Sequence, residues 1–398
     1  MKIGLVIPNS PGYSETFFIS KIKGLQERGF DVRLYCQYKK GDFNLCPIVC
    51  SPKVISNPFL QGWYFLKAFL LLLPYLPTIV RYSNLERKAG TGLIQLLKKT
   101  YLNAHLLKAK LDWVHYGFAT QAIGSENVAK AIGAKMAVSF RGFDIAIYPL
   151  KHPGCYNLLW EQVDKVHTIS DGLLDKAYKM RLPQSVPVEK IMPAIDVNFF
   201  SCPSKSMALE HNQALKPTEP VRFLTVGRLH WKKGYVLMLE ALAILKKKGI
   251  PFTYTIVGSG SKKERERIAF AALQLGIKED VIFAGTLNRE QVKKEYAKAT
   301  IYLQYSISEG FCNAILEAQS MKNLCIVSNA EGLAENVLHG ETGWVVPKLH
   351  PKLLAEQIEQ VIKLSEEEKI QLTEYAADRV KNELSIEKQQ AEFAAFYS

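Results

Sequence analysis

The sequence lacks any cluster of cysteines that could build a metal site or a disulfide framework. Its seven cysteines are scattered, and only Cys46 and Cys50 lie close together, with no neighbours that complete a zinc set. We therefore expect buried thiols in a reducing cytoplasm. Met1 and Lys2 lead directly into a strand-like apolar segment, so we also expect no signal peptide.

Acidic residues are scarce in the first half of the chain. Residues 1–200 contain 25 Lys and Arg against 14 Asp and Glu, whereas residues 201–398 contain 26 against 24. Nearly all of the net charge of +13 therefore belongs to the first half. Such a basic half suits an anionic partner, for example a membrane surface, a phosphorylated lipid or a nucleic acid. A lysine-rich surface that merely keeps the protein soluble explains the same counts.

The longest apolar run, residues 58–82, is not a clean membrane span. Lys67, Pro74 and Pro77 interrupt it, which makes it a poor transmembrane helix. A basic stretch follows it, made of Arg81, Arg87, Lys88, Lys98, Lys99, Lys108 and Lys110. Apolar and aromatic residues beside clustered lysines are typical of an interfacial membrane-binding face. A buried helical hairpin packed on a sheet is an equally good interpretation.

The length of 398 residues and the apolar fraction of 48 % predict a globular chain with two domains. Both halves alternate strand-like and helix-like segments, the pattern of a parallel α/β sheet. The alternation begins at "KIGLVIP" and restarts at "VRFLTVGRL", and the polar residues between them predict a linker. The expected boundaries are a first domain at 1–200 with a basic and apolar insertion at about 58–110, a linker at 201–220, a second domain at 221–375 and a C-terminal helix at 376–398.

Two segments of the second half have the residues of an anion site. "VGRLHWKKG", residues 226–234, follows a strand and opens a helix, and it places Arg228 and Lys233 on the connecting loop. Two cations at the carboxyl end of a strand, near a helix N-terminus, favour a phosphate site. Surface Lys and Arg residues are common, so this segment alone is weak evidence.

The second segment, "SEGFCNAILEAQS", spans residues 308–320 and turns from a loop into a helix. Free N–H groups at the helix start can bind a diphosphate, with Glu309 before it and Glu317 along the helix. Carboxylates accept paired sugar hydroxyls, so this arrangement matches a nucleotide-sugar, which has a sugar, a diphosphate and a ribose. Taken singly, Glu309 is explained as a helix N-terminal charge and Glu317 as a solvated helix position.

These segments together resemble the retaining glycosyltransferases of family 4. The matching pieces of the second half, over about residues 221–350, are "VGRLHWKKG", "IVGSGS", "VIFAGTL", "SISEGFCNAILEA" and "NAEGLAENVLHGETGWVVP". The first half matches more loosely, through "PNSPGYSETFF", "VHYGF", "FRGFDI", "TISDGL" and "IMPAIDVNFF". The chain is most similar to bacterial exopolysaccharide and lipopolysaccharide transferases. The resemblance implies an α/β GT-B fold, with two Rossmann-like domains facing a central cleft and C-terminal helices that cross back to the first domain.

The resemblance also implies a role for each matching residue. Arg228 and Lys233 would bind the donor diphosphate and stabilise the leaving group, Glu309 would contact the donor sugar, and Glu317 would hold the ribose. The other donor-side positions are Gly227, the main-chain N–H groups of Phe311, Cys312 and Asn313, and the loop of Gly285, Thr286 and Leu287 beside the base. The loop of Ser14, Glu15 and Thr16 would face the acceptor and the sugar.

One position departs from the family pattern. The family commonly has His-Gly-x-Asp where this chain has Arg141-Gly142-Phe143-Asp144. Arg141 could replace the histidine as a donor, to a phosphate or an acidic sugar, or it could mark an altered or lost activity. His115 is a further candidate for the cleft, although a lone histidine at a strand end is more often structural. A milder change is Ala194 in place of the usual glycine.

The implied activity is retaining, metal-independent glycosyl transfer from a nucleotide-diphosphate-sugar to a hydroxyl of a lipid-linked or soluble glycan. No cofactor is expected, and the absence of any Asp-x-Asp triplet agrees with a site without a metal. The setting would be bacterial cell-surface polysaccharide biosynthesis, on an anionic membrane at the cytoplasmic face of the plasma membrane. No nucleic-acid partner is expected. A sugar-nucleotide epimerase of the same architecture and a non-catalytic, degenerate transferase are the alternatives.

Overall fold

The computed structural model of the chain describes residues 1–11, 16–39, 41–201 and 220–398. The chain divides into two compact units. The first unit contains Met1–Met192 together with the C-terminal residues Gln389–Ser398, and the second contains Pro193–Lys388.

The first unit is built on a parallel sheet whose strand order is β3-β2-β1-β4-β5-β6-β7. The strands are β1 Lys2–Val6, β2 Asp31–Cys36, β3 Ile48–Cys50, β4 Trp113–Tyr116, β5 Lys135–Phe140, β6 Lys165–Thr168 and β7 Val188–Lys190. Strands β1, β4 and β5 read as short apolar runs and are almost entirely buried, as expected for a parallel sheet covered on both faces. The chain reverses its direction of winding between β1 and β4, which are neighbours in the sheet.

Helices cover this sheet and also form the insertion between β3 and β4. They are α1 Thr16–Glu27, α2 Pro58–Leu72, α3 Leu76–Lys88, α4 Leu93–Leu102, α5 Ala104–Leu107, α6 Val128–Ile132, α7 Tyr148–Lys151, α8 Asn157–Gln162 and α9 Asp171–Lys179. The start of α2 is specified locally, because the Asn57 side chain accepts hydrogen bonds from the N–H groups of Phe59 and Leu60, and Pro58 occupies the first turn. The apolar run of residues 58–82 is therefore helical, as both of its interpretations required.

The C-terminal residues complete the core of the first unit. Phe393, Phe396 and Tyr397 are buried and pack in one cluster with Ile3, Leu5 and Trp113 of the sheet. The Lys165 side chain donates a hydrogen bond to the Phe396 carbonyl oxygen at 2.8 Å. The core of this unit is thus assembled from both ends of the described sequence.

The second unit repeats the design with the strand order β10-β9-β8-β11-β12-β13. Its strands are β8 Val221–Val226, β9 Phe252–Val257, β10 Val281–Gly285, β11 Ile301–Gln304, β12 Leu324–Ser328 and β13 Trp344–Val346. All of their pairings are parallel, with β8 flanked by β9 and β11. The winding therefore reverses between β8 and β11, the position at which open α/β sheets form a crevice for ligands.

Side chains cap the starts of some, but not all, of the helices of the second unit. These helices are α10 Tyr235–Lys247, α11 Lys262–Gln274, α12 Arg289–Lys298, α13 Asn313–Ser320, α14 Leu333–Asn336, α15 Pro351–Ile362, α16 Glu366–Glu383 and α17 Ile386–Phe396, whose last residues enter the first unit. Asn288 and Ser365 each form a reciprocal capping box with the third helical residue, which fixes the starts of α12 and α16. The predicted α/β class with two parallel-sheet domains is confirmed.

Candidate functional site

The predicted donor-side residues of the second unit collect at the carboxyl edge of its sheet. The loop after β8 carries Arg228 and Lys233, and the loop after β11 carries Glu309. Because β8 and β11 are neighbours, the two loops emerge side by side at the point where the winding reverses. Segments that are 76 residues apart in sequence therefore meet at one site.

A glycine makes the close approach of these loops possible. Gly234 has a φ of 67°, and a side-chain carbon built on it would lie 2.1 Å from the Tyr305 carbonyl oxygen. Only a residue without a Cβ fits there, both in conformation and in space. The Ile307 N–H also donates a hydrogen bond to the Lys232 carbonyl oxygen at 2.6 Å. The backbone thus sets the position of Lys233 relative to the loop after β11.

Lys233 and Glu309 form an ion pair in this position. The Lys233 ammonium lies 2.5 Å from a Glu309 carboxylate oxygen, and both side chains are largely shielded from solvent. Burial lowers the pKa of Lys233, but Cys312 and Glu309 beside it raise the value overall, so the ammonium stays charged at neutral pH. The pair places a fixed cation and a fixed carboxylate together at the crevice.

Arg228 supplies a second positive charge next to this pair. Its side chain is exposed. Its positive charge acts to lower the pKa of Lys233, because the two cations are neighbours. Gly227 lies close by, since a side-chain carbon at this position would come within 3.8 Å of the Lys233 ammonium. An anion that approached this loop would meet two cations, and the backbone at Gly227 has no side chain to block it.

The start of α13 differs in detail from the prediction. The helix begins at Asn313, with Cys312 as its N-cap, and Phe311 and Cys312 are buried. The Cys312 N–H donates to the side-chain oxygen of Asn336 at 3.1 Å, so it is already used within the protein. This corrects the prediction that the Cys312 N–H points at a ligand. The main-chain N–H groups of Phe311 and Asn313 remain as predicted donors.

Two residues of the segment between β12 and β13 support this region and were not predicted individually. Asn336 also donates its amide to the Cys312 carbonyl oxygen at 3.2 Å, and Glu331 accepts a hydrogen bond from the Glu309 N–H at 2.8 Å. Both residues lie in "NAEGLAENV", which follows the strand next to β11. The sequence could have indicated these two residues by their position after a strand next to β11, because the carboxyl ends of neighbouring parallel strands lie at one edge of the sheet.

Glu317 lies on α13 with a tyrosine as its partner. The Tyr296 hydroxyl, on α12, donates a hydrogen bond to the Glu317 carboxylate at 2.8 Å and lies 3.1 Å from the Ala314 carbonyl oxygen. Burial raises the pKa of Glu317 to about 7, against the opposing effects of Tyr296 and Arg289. The Glu317 carboxyl group therefore takes up a proton at a higher pH than an ordinary glutamate does. Tyr296 had no motif that would have identified it in the sequence.

The predicted base-side loop follows β10, two strands away from β8. Gly285, the last residue of β10, has a φ of 71°, and its carbonyl oxygen accepts a hydrogen bond from the Gly258 N–H at 2.7 Å. Thr286 is exposed and Leu287 is half-buried. The loop thus lies at the same edge of the sheet as Lys233, on the side of β9.

In the first unit, Arg141 follows β5 and is held by its surroundings. Its guanidinium lies over the Phe17 ring at 3.8 Å, and its side chain donates a hydrogen bond to the Gly117 carbonyl oxygen. The buried Asp144 carboxylate accepts hydrogen bonds from the N–H groups of Arg141 and Gly142 and fixes the turn. Burial lowers the pKa of Arg141 to about 9, so the residue is still a cation at neutral pH.

His115 lies in the core and not at a surface. Its exposure is 0 %, and its ring nitrogens lie 2.7 Å from the Ser139 hydroxyl and 2.6 Å from the Tyr397 hydroxyl. Burial, with Lys21 and His167 nearby, lowers the pKa of His115 well below its usual value, so the ring is neutral. This corrects the prediction that His115 lines the site, because strand β4 is covered on both faces.

The predicted acceptor-side loop is only partly described. Ser14 and Glu15 lie outside the described residues, and the backbone of Thr16 opens helix α1.

Within the described ranges, no three His, Cys, Asp or Glu side chains group closely enough to hold a metal ion. Of the predicted site residues, those on the donor side are the ones that lie together in the structure, with Lys233 and Glu309 in contact.

Comparison with known proteins identifies the class. Residues 206–379 match the family Glycosyl transferases group 1. The matched segment lies in the second unit and covers less than half of the chain. The chain is a glycosyltransferase with the GT-B fold, as predicted.

Two similar proteins are named as glycosyltransferases of polysaccharide biosynthesis. The amylovoran biosynthesis glycosyltransferase AmsK of Erwinia amylovora is 26 % identical, over 89 % of each chain. The putative colanic acid biosynthesis glycosyltransferase WcaL of Escherichia coli K12 is 25 % identical, over 97 % of this chain and 96 % of the relative. A similar fold occurs in Anabaena HepE, solved with UDP and also with UDP-glucose, and the UDP complex superposes with a TM-score of 0.71 at 15 % identity, covering 99 % of this chain and 98 % of HepE.

Proposed function

We propose that the chain transfers a sugar from a nucleoside-diphosphate sugar to a hydroxyl of a lipid-linked or soluble glycan, with retention at the anomeric carbon and without a metal ion. The observation that carries this proposal is the Lys233–Glu309 pair, with Arg228 beside it, where the winding of the second sheet reverses. Cations suit the diphosphate, and the carboxylate suits the hydroxyls of the sugar.

The chemistry needs these cations most as the donor bond breaks. The bond between the anomeric carbon and the phosphate oxygen breaks, and its electron pair leaves with the nucleoside diphosphate. The acceptor oxygen forms the new bond and loses its proton to the departing phosphate. Arg228, Lys233 and the main-chain N–H groups of Phe311 and Asn313 stabilise the charge that develops on the leaving group. No protein nucleophile takes part.

The two carboxylates have different tasks in this scheme. Glu309 accepts hydrogen bonds from the donor sugar, and its contact with Lys233 holds it beside the diphosphate. Glu317, further along α13 and bonded to Tyr296, accepts hydrogen bonds from the ribose. Arg141, which stands where the family commonly has a histidine, acts from the first unit as a donor to a phosphate or an acidic group of the substrate.

The relatives support the nature of the substrates. AmsK and WcaL serve exopolysaccharide biosynthesis, which favours a similar pathway in a bacterial cytoplasm for this chain. UDP and UDP-glucose in HepE, a protein of similar fold, support a nucleotide-sugar donor. The basic first half favours an acceptor presented at the cytoplasmic face of an anionic membrane.

The test begins with a thermal-shift screen of nucleoside diphosphates and nucleotide-sugars against the full chain. A ligand at one hundred times its Kd should stabilise the protein by about 2.7 kcal/mol. The best donor is then incubated with and without polyprenyl-diphosphate-linked sugars, and the products are analysed. Release of nucleoside diphosphate with transfer to an acceptor supports the proposal. Conversion of the donor to its epimer, or binding without any turnover, contradicts it.

A further inference from the structure

The insertion of the first unit presents a continuous apolar face to solvent. Phe59 is 87 % exposed and Trp63 is 62 % exposed, and the other exposed members of the stripe are Leu66, Leu70, Leu73, Leu76 and Val80. Their spacing of three and four residues keeps them on one side of α2 and α3, over a length of about 30 Å. Leu93 and Ile94 of α4 are exposed as well. We call the exposed apolar residues of α2–α4 the apolar face.

The structure argues against a buried hairpin for this segment. Pro58–Lys88 is the one helical stretch of the described residues that is long and apolar enough to cross a membrane, yet only 6 % of its most apolar window is buried. A hairpin packed into the core would be mostly buried. Soluble monomers rarely expose so large an apolar patch, so such a face points to a partner.

The inner side of the same helices is anchored on the first unit. Leu72 and Tyr82 are buried in its core, and Glu86 is fully buried between α3, α4 and α6. The Glu86 carboxylate accepts hydrogen bonds from the side chains of Lys99, Thr91 and Asn127 at 2.8–3.0 Å. Although burial opposes it, these bonds lower the pKa of Glu86, so it stays ionised. The helices therefore lie along the unit with one side fixed, an arrangement that favours attachment at a membrane surface over a membrane span.

The charge around the apolar face has one sign. Residues 51–110 contain nine Lys and Arg and a single acid, Glu86, which is buried. Lys67, Arg81, Lys88 and Lys98 are exposed on α2–α4. Lys99, in contrast, is held by Glu86 and belongs to the scaffold. The accessible charges of the face are thus all positive.

We infer that the apolar face lies in the interface of an anionic lipid bilayer, with the exposed basic residues at the phosphate level. Apolar side chains enter the acyl boundary while lysine and arginine side chains reach the headgroups. A second copy of this chain fits the face poorly, because a symmetric contact would place basic residues against basic residues. This attachment rests on the proposed function for its purpose, since it would bring the unit to lipid-linked acceptors.

The test uses the full chain with vesicles of phosphatidylcholine, alone or mixed with phosphatidylglycerol, at low and high salt. We expect binding to the anionic vesicles that weakens with salt, and quenching of Trp63 fluorescence by a doxyl lipid that is lost in Trp63→Phe. The double variant Trp63→Ser/Leu66→Ser should bind at least tenfold more weakly. The matched control, Phe270→Ser/Leu273→Ser, removes two exposed apolar residues from α11 and should bind like wild type.

A second pair of variants isolates the charges. Changing Lys67, Arg81, Lys88 and Lys98 to Gln should reduce binding to anionic vesicles at least tenfold and leave the weak binding to phosphatidylcholine unchanged. Removing four exposed lysines of the second unit, Lys247, Lys262, Lys263 and Lys278, is the control with the same change of net charge.

Three results would overturn the inference. They are no binding of wild type to anionic vesicles at low salt, equal losses in the variants and their controls, and a dimer that forms through the apolar face in place of lipid binding. The assay contains neither donor nor acceptor. A protein that binds lipid but transfers no sugar therefore contradicts only the proposed function, and the reverse result contradicts only this inference.

Discussion

The side chain of Asn336 makes two hydrogen bonds to the backbone of Cys312, one to its N–H and one to its carbonyl oxygen. Both groups are buried, and the two residues are 24 positions apart in the chain. The Asn336 amide therefore pairs with both backbone groups of Cys312, as a neighbouring strand would. These bonds fix the turn that leads from Glu309 into α13. The segment between β12 and β13 thus sets the geometry of the loop after β11.

The first prediction follows from this contact. Asn336→Ala leaves a buried N–H and a buried carbonyl without partners, which should cost about 1–3 kcal/mol of stability. Binding of a nucleoside diphosphate should weaken as well, because the start of α13 loses its support. The measurements are thermal unfolding and calorimetric titration.

Asn323→Ala is the matched control for this variant. Asn323 is equally buried and donates two hydrogen bonds, to the carbonyl oxygens of Tyr296 and Ala299, at the opposite edge of the sheet. It should lose similar stability and keep its affinity for the nucleotide. Equal losses of affinity in the two variants would show that Asn336 has no specific effect on the site.

The second prediction concerns the cations of the loop after β8. Arg228→Ala and Lys233→Ala should each lower kcat by about 10²–10³-fold, the usual effect of removing one group that stabilises developing charge. Lys247→Ala removes an exposed lysine from the far end of α10 and should leave kcat unchanged. Near-normal turnover in both site variants, measured in a coupled assay of released nucleoside diphosphate, would contradict the phosphate assignment.

The third prediction separates the two carboxylates. Glu309→Gln should weaken the whole donor but not the free nucleoside diphosphate, which should bind at least as well because the Lys233 ammonium no longer has a carboxylate partner. Glu317→Ala should weaken both ligands to the same degree, since both contain the ribose. Calorimetry with the two ligands distinguishes these patterns. Identical profiles for the two variants would refute the division of tasks.

The fourth prediction uses the pKa of Glu317, which burial raises from 4.5 to about 7. A carboxyl group whose pKa is higher in the folded state is destabilising above that pKa, and the penalty disappears as the pH falls toward its unfolded value. The penalty is about 3 kcal/mol at pH 8 and below about 1 kcal/mol at pH 5. Glu317→Gln, which can still accept the hydrogen bond from Tyr296, should therefore be more stable than wild type at pH 8 and similar at pH 5.

Thermal unfolding at the two pH values measures this difference. A change of 1 kcal/mol shifts the Tm of a unit of this size by roughly 2–4 °C. Glu368→Gln is a suitable control, because Glu368 lies at the start of α16, where the Ser365 N–H and hydroxyl lower its pKa. A stability gain for Glu317→Gln that is the same at pH 5 and pH 8 would show that burial of its charge is not the cause.

The fold was accessible from the sequence because its signals are local. Short apolar runs such as "VRFLTV" and "LCIVS", each followed by a loop and a helix, predict a parallel sheet without knowledge of any partner. The assignment of Arg228, Lys233 and Glu309 to one site came from the family resemblance and the rule that strand ends share an edge. The rule was sufficient to predict that these three residues lie together, because β8 and β11 are neighbouring parallel strands.

The details that the sequence did not reveal depend on distant partners. His115 is buried by Tyr397, which lies 282 residues away, and the Cys312 N–H is taken by Asn336. Lys99 looked like one more basic surface residue, but it neutralises Glu86 across two helices. In each case a side chain or N–H group that looked free in the sequence is satisfied by a residue that no local pattern identifies.

The closing of the first unit's core by Phe393, Phe396 and Tyr397 has a consequence for how the protein is made. A ribosome releases the sheet residues Ile3, Leu5 and Trp113 long before it reaches these aromatic partners. During that time the face of the first sheet that they cover stays open. The core of the amino-terminal unit therefore cannot be completed until synthesis has passed residue 397.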